Sequence, residues 1–255
     1  MARTFADMVD LKSSYTLGHS AGVAELAERA ARSLGLATLE VDDLRRAALL
    51  HDLGRVAVSS GIWEKPGPLT RVEQEQMRLH PYHTERILSC SPALQPLGRT
   101  AGMHHERLDG SGYHHGMPAS AIPLAARILA AADEFQSATQ PRPHRPHRRP
   151  GEAADLLVAD ATAGRLDPDC VRAVVEAAGQ ALARMRSSWP AGLSDREVEV
   201  LRLVARGLMN REIAETLVVS RRTAEHHVQH VYAKIGCSTR AGAAIFAMQH
   251  DLLRP

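Results

Sequence analysis

Seven histidines and aspartates recur along the first 133 residues of this 255-residue chain: His19, His51, Asp52, His80, His104, His105 and Asp133. They fall at intervals of about 25 to 30 residues. That interval is one helix plus its turn, so successive helices of a bundle can each bring a ligand to one cleft, as bundle cores do when they build di-metal sites. Any single member reads equally well as a helix cap or a solvated side chain. Seven in register do not. Histidine nitrogens with a shared carboxylate suit Fe, Mn, Zn or Ni better than Mg or Ca.

The intervening sequence has helical period. Val23, Leu26, Ala27, Ala30, Ala31 and Leu34 repeat at 3.6-residue spacing, with Gly35 suited to the position after the helix. Val41, Leu44, Ala48 and Leu49 make a second helix that delivers the adjacent His51–Asp52 pair into a glycine turn. Thr70 and Glu73 form a capping box that opens a third, expected to run through Met77 and His80 toward Leu88. A fourth is expected from about Ala93 to His105, another near Pro123 to Phe135, and amphipathic stretches near 151–163 and 168–186. No segment alternates as a strand would, so the fold class is all-α. Hydrophobic residues make up 44% of the chain and aromatics 4%, so Leu, Ala and Val must fill the core.

A net charge of +2 leaves room for a nucleic-acid surface only as a local patch. Cys90, Cys170 and Cys237 are isolated and form no CxxC pair, so neither a disulfide framework nor a zinc knuckle is implied. With no signal peptide and no apolar run of ~18 residues, the expectation is a cytoplasmic protein without a membrane partner. A Pro- and Arg-rich stretch, "QPRPHRPHRRP", fills residues 140–150, and "SSWPAG" at 187–192 makes a cleaner break. The expected domains are therefore 1–186 and 193–255, joined by a linker at 187–192. Trp63 and Trp189 are expected to be packing residues.

The order H…HD…H…HH…D, with "HDLG", "HHERLDGSGY" and "AADEF", resembles the HD-GYP subgroup of HD-domain phosphohydrolases from about Tyr15 to Gly179. The resemblance implies a helical bundle that hydrolyses a cyclic dinucleotide, cyclic di-GMP first, at two divalent metal ions, Fe or Mn before Zn or Ni. By position, His19, His51, Asp52 and Asp133 would hold one ion. His80, His104 and His105 would hold the other, with Asp52 bridging. Asp52 and Arg55 would then carry catalysis, and Arg142 and Arg145, in "RPHR" where the family has "RPYR", would clamp phosphate as forked donors. Four positions depart from the pattern. Arg55 replaces a lysine, His114 the proline of GYP and Gln136 a second aspartate, and Tyr15 stands where some members carry a third-metal glutamate.

The C-terminal stretch beginning "LSDREVEVLRLVARGLMNREIAETLVVSRRTAEHHVQHVYAKIG" resembles the LuxR-type helix-turn-helix domain, a small four-helix unit. A Ser-Asp cap would open helix 194–206 and Gly207 close it, while Asn210 caps Arg211–Leu217. Ser220 would cap the recognition helix, whose apolar face is Ala224, Val228, Val231 and Ile235. Glu225, His226 and Gln229 would reach base edges, and Arg221, Arg222, Thr223, Lys234 and Arg240 would hold phosphates. The resemblance implies double-stranded DNA as partner and a homodimer on paired half-sites. Two functions follow: a phosphodiesterase joined to a transcriptional regulator, or a non-catalytic nucleotide- or metal-sensing HD domain in a pure transcription factor. The intact ligands favour the first. Arg55, His114 and Gln136 favour the second.

Overall fold

The computed structural model describes residues 2–143, 145–180, 190–193, 195–217, 219–250 and 252–253. The chain forms two compact units, 1–183 and 184–255. Residues 187–189 of the expected linker, with Trp189, and the expected cap residue Ser194 lie outside the described residues. The first unit contains α1 (Ala2–Asp10), α2 (His19–Ser33), α3 (Thr38–Leu50), α4 (Ser60–Trp63), α5 (Arg71–Arg78), α6 (His80–Ser89), α7 (Gln95–Gly102), α8 (Leu124–Thr139), α9 (Pro150–Thr162) and α10 (Pro168–Ala177). The second contains α11 (Asp195–Ala205), α12 (Asn210–Leu217), α13 (Arg221–Ile235) and α14 (Arg240–Gln249). Among the described residues there is no strand, only an isolated bridge between Arg142 and Arg145.

Helix α8 runs through the middle of the first unit. Ala126, Ile128, Leu129, Ala130, Ala131 and Ala132 are all buried, as expected of a helix covered on most sides. Four alanines in that set let α2, α9 and α10 come close without large side chains between them. Ile128 and Leu129 each contribute about 1.5–3 kcal/mol by full burial. In the second unit, Leu201, Val204, Ile213, Ala224, Val228, Val231 and Ala243 make a separate core.

Three helix expectations need correction. The capping box at Thr70 and Glu73 forms, but the helix it opens stops at Arg78 and a new one begins at His80. Pro81 is the cause: it has no N–H to donate, and its ring would crowd the carbonyl of Met77 four residues back. That carbonyl accepts from His80 Nδ1 instead, at 2.7 Å. Of the stretch expected over 168–186, the helix ends at Ala177, where Gly179 takes φ 71° and Gln180 N–H closes back on Val175 O at 3.1 Å, and residues 181–186 lie outside the described residues. The fourth helix is shorter than expected, Gln95–Gly102, so His104 and His105 stand in the turn beyond it. Helix α1 was not anticipated at all.

Candidate metal centre

Each ligand candidate is placed by a local device. Buried Asp10, at the end of α1, accepts from Ser20 N–H at 3.0 Å and Ser20 Oγ at 2.7 Å, which fixes the first turn of α2 and with it His19. At the end of α3 the chain turns through His51 and Asp52 into a 3-10 turn, Leu53–Ala57. Glycine is required at position 54, because a Cβ there would lie 2.0 Å from His80 O and 2.5 Å from Thr84 N. The buried Thr84 hydroxyl donates to His51 O and accepts from Gly54 N–H, both at 2.8 Å. This bolts the His51–Asp52 turn to α6 and so to His80.

The imidazoles are oriented from behind. Nδ1 donates to a backbone carbonyl in His51 (Ala48, 2.7 Å), His80 (Met77, 2.7 Å) and His104 (Ala101, 2.6 Å), and His19 Nδ1 meets Gln140 Oε1 at 2.8 Å. Such outer bonds leave Nε2 as the bare nitrogen pointing inward, which is how metal-ligating histidines are held. The inward atoms converge on Asp52. Its Oδ2 lies 3.3 Å from His51 Nε2 and 3.6 Å from His19 Nε2, while its Oδ1 lies 3.4 Å from His80 Nε2 and 3.8 Å from His104 Nε2. Asp133 Oδ1 stands 3.1 Å from His19 Nε2, and Asp133 Oδ2 is 3.9 Å from His105 Nδ1. All seven residues expected from the sequence therefore meet in one place.

The donor set fits divalent cations. His80 Nε2 and His104 Nε2 lie 3.2 Å apart. Burial first of all pushes His80 down to about 4 and His104 to about 3, so near neutrality both rings are neutral and two lone pairs face each other. Two nitrogens on one ion at roughly 2.1 Å each stand about 3.0–3.4 Å apart, so a shared cation resolves that repulsion. Residues His80, His104 and His105 form one such group, and His19, His51 and Asp133 another. His51 behaves oppositely: burial would lower it, but Asp52 and Asp133 outweigh burial and raise it to about 10. A positive charge, proton or metal ion, is what the carboxylates favour there. Asp52 is held well below the usual carboxylate range, the penalty of burial being overcome by Arg55, His51 and His80.

The cationic residues divide. Arg55 Nε lies 2.9 Å from Asp52 Oδ2, and its guanidinium sits over the Trp63 ring at 4.5 Å, so Trp63 is a stacking platform as well as a packing residue. Arg142 donates to Tyr15 O at 2.9 Å and Ser137 Oγ at 3.1 Å. Burial, then Arg55, lowers it to about 10, still charged at neutral pH. Arg145 spends its donors on carbonyls at the C-terminal end of α8, including Ser137 O at 2.7 Å. Both arginines line a cavity of about 800 Å³ with Tyr15, Arg55, Trp63, His80, His105 and Tyr113. Its size is that of a small-molecule site, about 300–1,000 Å³. Thr84 and Gln140 were not singled out from the sequence, since their roles exist only across tertiary contacts.

In the second unit Ser220 Oγ accepts from Thr223 N–H at 3.1 Å and so caps α13. Arg221, Arg222, Thr223, His226 and Gln229 are exposed and Glu225 is half-buried, on the side opposite Ala224, Val228 and Val231. Two residues expected at phosphates are engaged internally. Lys234 Nζ lies 2.7 Å from Glu197 Oε2, and Arg240 bonds Leu208 O and, at 2.6 Å, Asn210 Oδ1.

The first unit is thus of a recognisable class, a helical scaffold whose helix ends converge as metal ligands on one shared carboxylate. Residues 3–170 match the family described as HD domain, and the chain belongs to it. Residues 191–247 match the bacterial regulatory proteins of the luxR family. The chain is 39% identical over 173 residues to the 3'3'-cGAMP-specific phosphodiesterase 3 of Vibrio cholerae, covering 68% of this chain and 37% of that protein. It is 40% identical over 153 residues to the cyclic di-GMP phosphodiesterase response regulator RpfG of Xanthomonas campestris, covering 59% and 40%. The chain therefore spans about two fifths of the length of these relatives. Among solved structures, Bd1817, a HDG"Y"P protein from Bdellovibrio bacteriovorus, shares the fold with a TM-score of 0.54 at 18% identity, over 66% of this chain and 53% of that one.

Proposed function

We propose that this protein is a metal-dependent phosphodiesterase that hydrolyses a cyclic dinucleotide, cyclic di-GMP first and 3'3'-cGAMP as the rival substrate, and that its C-terminal unit binds double-stranded DNA. One observation carries the reading: the two oxygens of Asp52 face two different sets of Nε2 atoms. His19, His51 and Asp133 would hold one ion, His80, His104 and His105 the other, with Asp52 shared between them. Bound there, divalent ions of the Fe or Mn class supply Lewis acidity toward a phosphodiester and activate water.

The chain's own residues do the rest. Arg55 keeps Asp52 ionised and adds a fixed positive charge at the wall of the cavity. Arg142, oriented by Tyr15 O and Ser137 Oγ, meets phosphate oxygens as a forked donor. The ring of Tyr113, which carries His105 stacked at 4.7 Å and the Arg78 guanidinium at 4.6 Å, forms cavity wall together with Trp63. Arg145 holds the turn that carries Arg142. On α13, Arg221, Arg222 and Thr223 meet phosphates, and Glu225, His226 and Gln229 meet base edges in the major groove. Binding as a homodimer at paired half-sites and a cytoplasmic location complete the proposal. Among the described residues no helix is long and apolar enough to cross a membrane.

Arg55 also supports a second reading. Its guanidinium occupies the Oδ2 side of Asp52 and stays charged, so it cannot donate a proton as a lysine can. In that reading the first unit senses a nucleotide without turning it over. Manganese- or iron-loaded full-length protein separates the two. Conversion of cyclic di-GMP or 3'3'-cGAMP to a linear dinucleotide or mononucleotides, kept or raised in Arg55→Lys, supports the enzyme. Binding without turnover, together with a change in DNA affinity, supports the sensor. Neither turnover nor binding removes cyclic dinucleotides from both.

A further inference from the structure

The loop that carries the His114 departure is built around a carboxylate that the Asp52 centre does not use. Glu106 is only 2% exposed. Its side chain accepts from the backbone N–H of His115 at 2.8 Å, Gly116 at 3.3 Å and Met117 at 2.9 Å. Three backbone donors on one buried carboxylate fix the conformation of the turn. Held this way, the rings of His114 and His115 lie with centroids 3.8 Å apart. Both aim Nε2 at a single atom, Glu85 Oε2, at 3.5 Å and 3.0 Å.

The third ligand is constrained as firmly. Glu85 projects from α6 across Gly102 of α7, where a Cβ would stand 3.1 Å from Oε2 and 3.2 Å from the Glu85 Cβ. Gly102 thus makes the room in which Glu85 lies. Tyr82, one turn earlier on α6, meets the His114 ring edge-on at 5.7 Å. His114 Nδ1 is buried, which leaves Nε2 as the nitrogen facing the carboxylate. One imidazolium would neutralise Glu85, so a second imidazole on the same oxygen exceeds what a salt bridge needs. One ligand atom from each of the three residues lies within 4.8 Å of the others. Two imidazole nitrogens and one carboxylate are a donor set for borderline transition metals, not for Mg or Ca. His115 is 40% exposed, so water can complete the coordination from outside.

We propose that Glu85, His114 and His115 form a separate site for a divalent ion of the zinc, nickel or copper class. It shares no ligand with the Asp52 centre and does not depend on that centre's activity. Occupancy would reach the cavity through the chain: Tyr113 precedes His114, its N–H bonds His105 O at 3.1 Å, and its ring stacks on His105. An ion on the loop would therefore stiffen one wall of the substrate cavity.

Equilibrium dialysis of the full-length protein against zinc, read by elemental analysis, tests this. His115→Ala and Glu85→Gln should each bind one zinc fewer per chain than the parent. Asp52→Ala, disabled at the other centre, should lose that same single equivalent when His115→Ala is added. Thermal melts of the metal-free variants check that folding is intact. With copper, the electron paramagnetic resonance spectrum of Asp52→Ala should show nitrogen coupling that His115→Ala removes. Equal zinc in parent and His115→Ala, or a copper signal indifferent to both substitutions, overturns the site whatever the Asp52 centre proves to do.

Discussion

The two units expose chemistry in opposite ways. Around Asp52 the reactive groups are buried, and all four of His19, His51, His80 and His104 are tied from behind by a partner on Nδ1. On α13 the polar groups are turned outward and lean mainly on their own helix, as Arg221 does on Glu225 at 3.0 Å. Such an exposed pair is worth about 0.3–0.5 kcal/mol, so it yields readily to a phosphate. Folding completes the first site before any ligand arrives. The polar side chains of α13 remain at the surface.

The largest expected effect breaks the buried side. Asp52→Ala should cut hydrolysis by about 10²–10³-fold, as removal of a group acting on the transition state does. It should also lower Fe or Mn content at both positions. His83→Ala, on the same helix α6 but outside the ligand set, should keep both ions. Hydrolysis surviving in the Asp52 variant would contradict the shared-carboxylate assignment.

Next come the bolts behind the site. Thr84→Val leaves His51 O and Gly54 N–H without their hydroxyl partner, a cost of about 1–3 kcal/mol that a denaturation curve can read. Gly54→Ala should cost more, since its Cβ would overlap backbone atoms that cannot swing away.

Protonation sharpens the contrast further. In metal-free protein His80 and His104, lowered from 6.5 to about 4 and about 3, bind fewer protons folded than unfolded. Stability should therefore fall as pH drops below about 6.5. His51, raised to about 10, binds more protons folded, so its contribution is lost as pH rises from 6.5 through 10. A melting temperature measured in chelator should peak near pH 6.5 and decline on both sides. A steady rise from about pH 5 to pH 9 would refute this balance.

The smallest effects belong to α13. Gln229→Ala should relax preference at one base position by roughly 1–3 kcal/mol. Arg222→Ala should weaken binding to all sequences alike and reduce the salt slope by about one contact. Lys234→Ala should leave that slope unchanged and lower the melting temperature instead, because Lys234 bonds Glu197, whose side chain is 7% exposed. A salt slope altered as much by Lys234→Ala as by Arg222→Ala would return Lys234 to the phosphate set.

The unequal legibility of the two units has the same origin. His19, His51, His80, His104, His105 and Asp133 could be read because helix length sets their spacing, and a bundle turns that spacing into proximity. Thr84 and Gln140 carry no such signal: the bonds Thr84 makes to the His51–Gly54 turn cross some 30 residues of chain, and that of Gln140 to His19 crosses 121. The place of Lys234 on α13 predicts a phosphate ligand, but Glu197, 37 residues earlier, claims it. The break at His80 is written in Pro81, although the capping box at Thr70 and Glu73 predicts a helix running on toward Leu88. Helix α1 does carry the helical period, with Ala2, Phe5, Ala6 and Val9 on one face, but it is only nine residues long and has no capping signal to mark it.

Anomalous diffraction at the iron and manganese edges from full-length protein loaded with each metal tests the central claim most directly. Two peaks should appear inside the first unit, one beside each oxygen of Asp52, the first among His19, His51 and Asp133 and the second among His80, His104 and His105. A crystal of the loaded protein with no peak at Asp52, or with its metal held only elsewhere, would contradict the account.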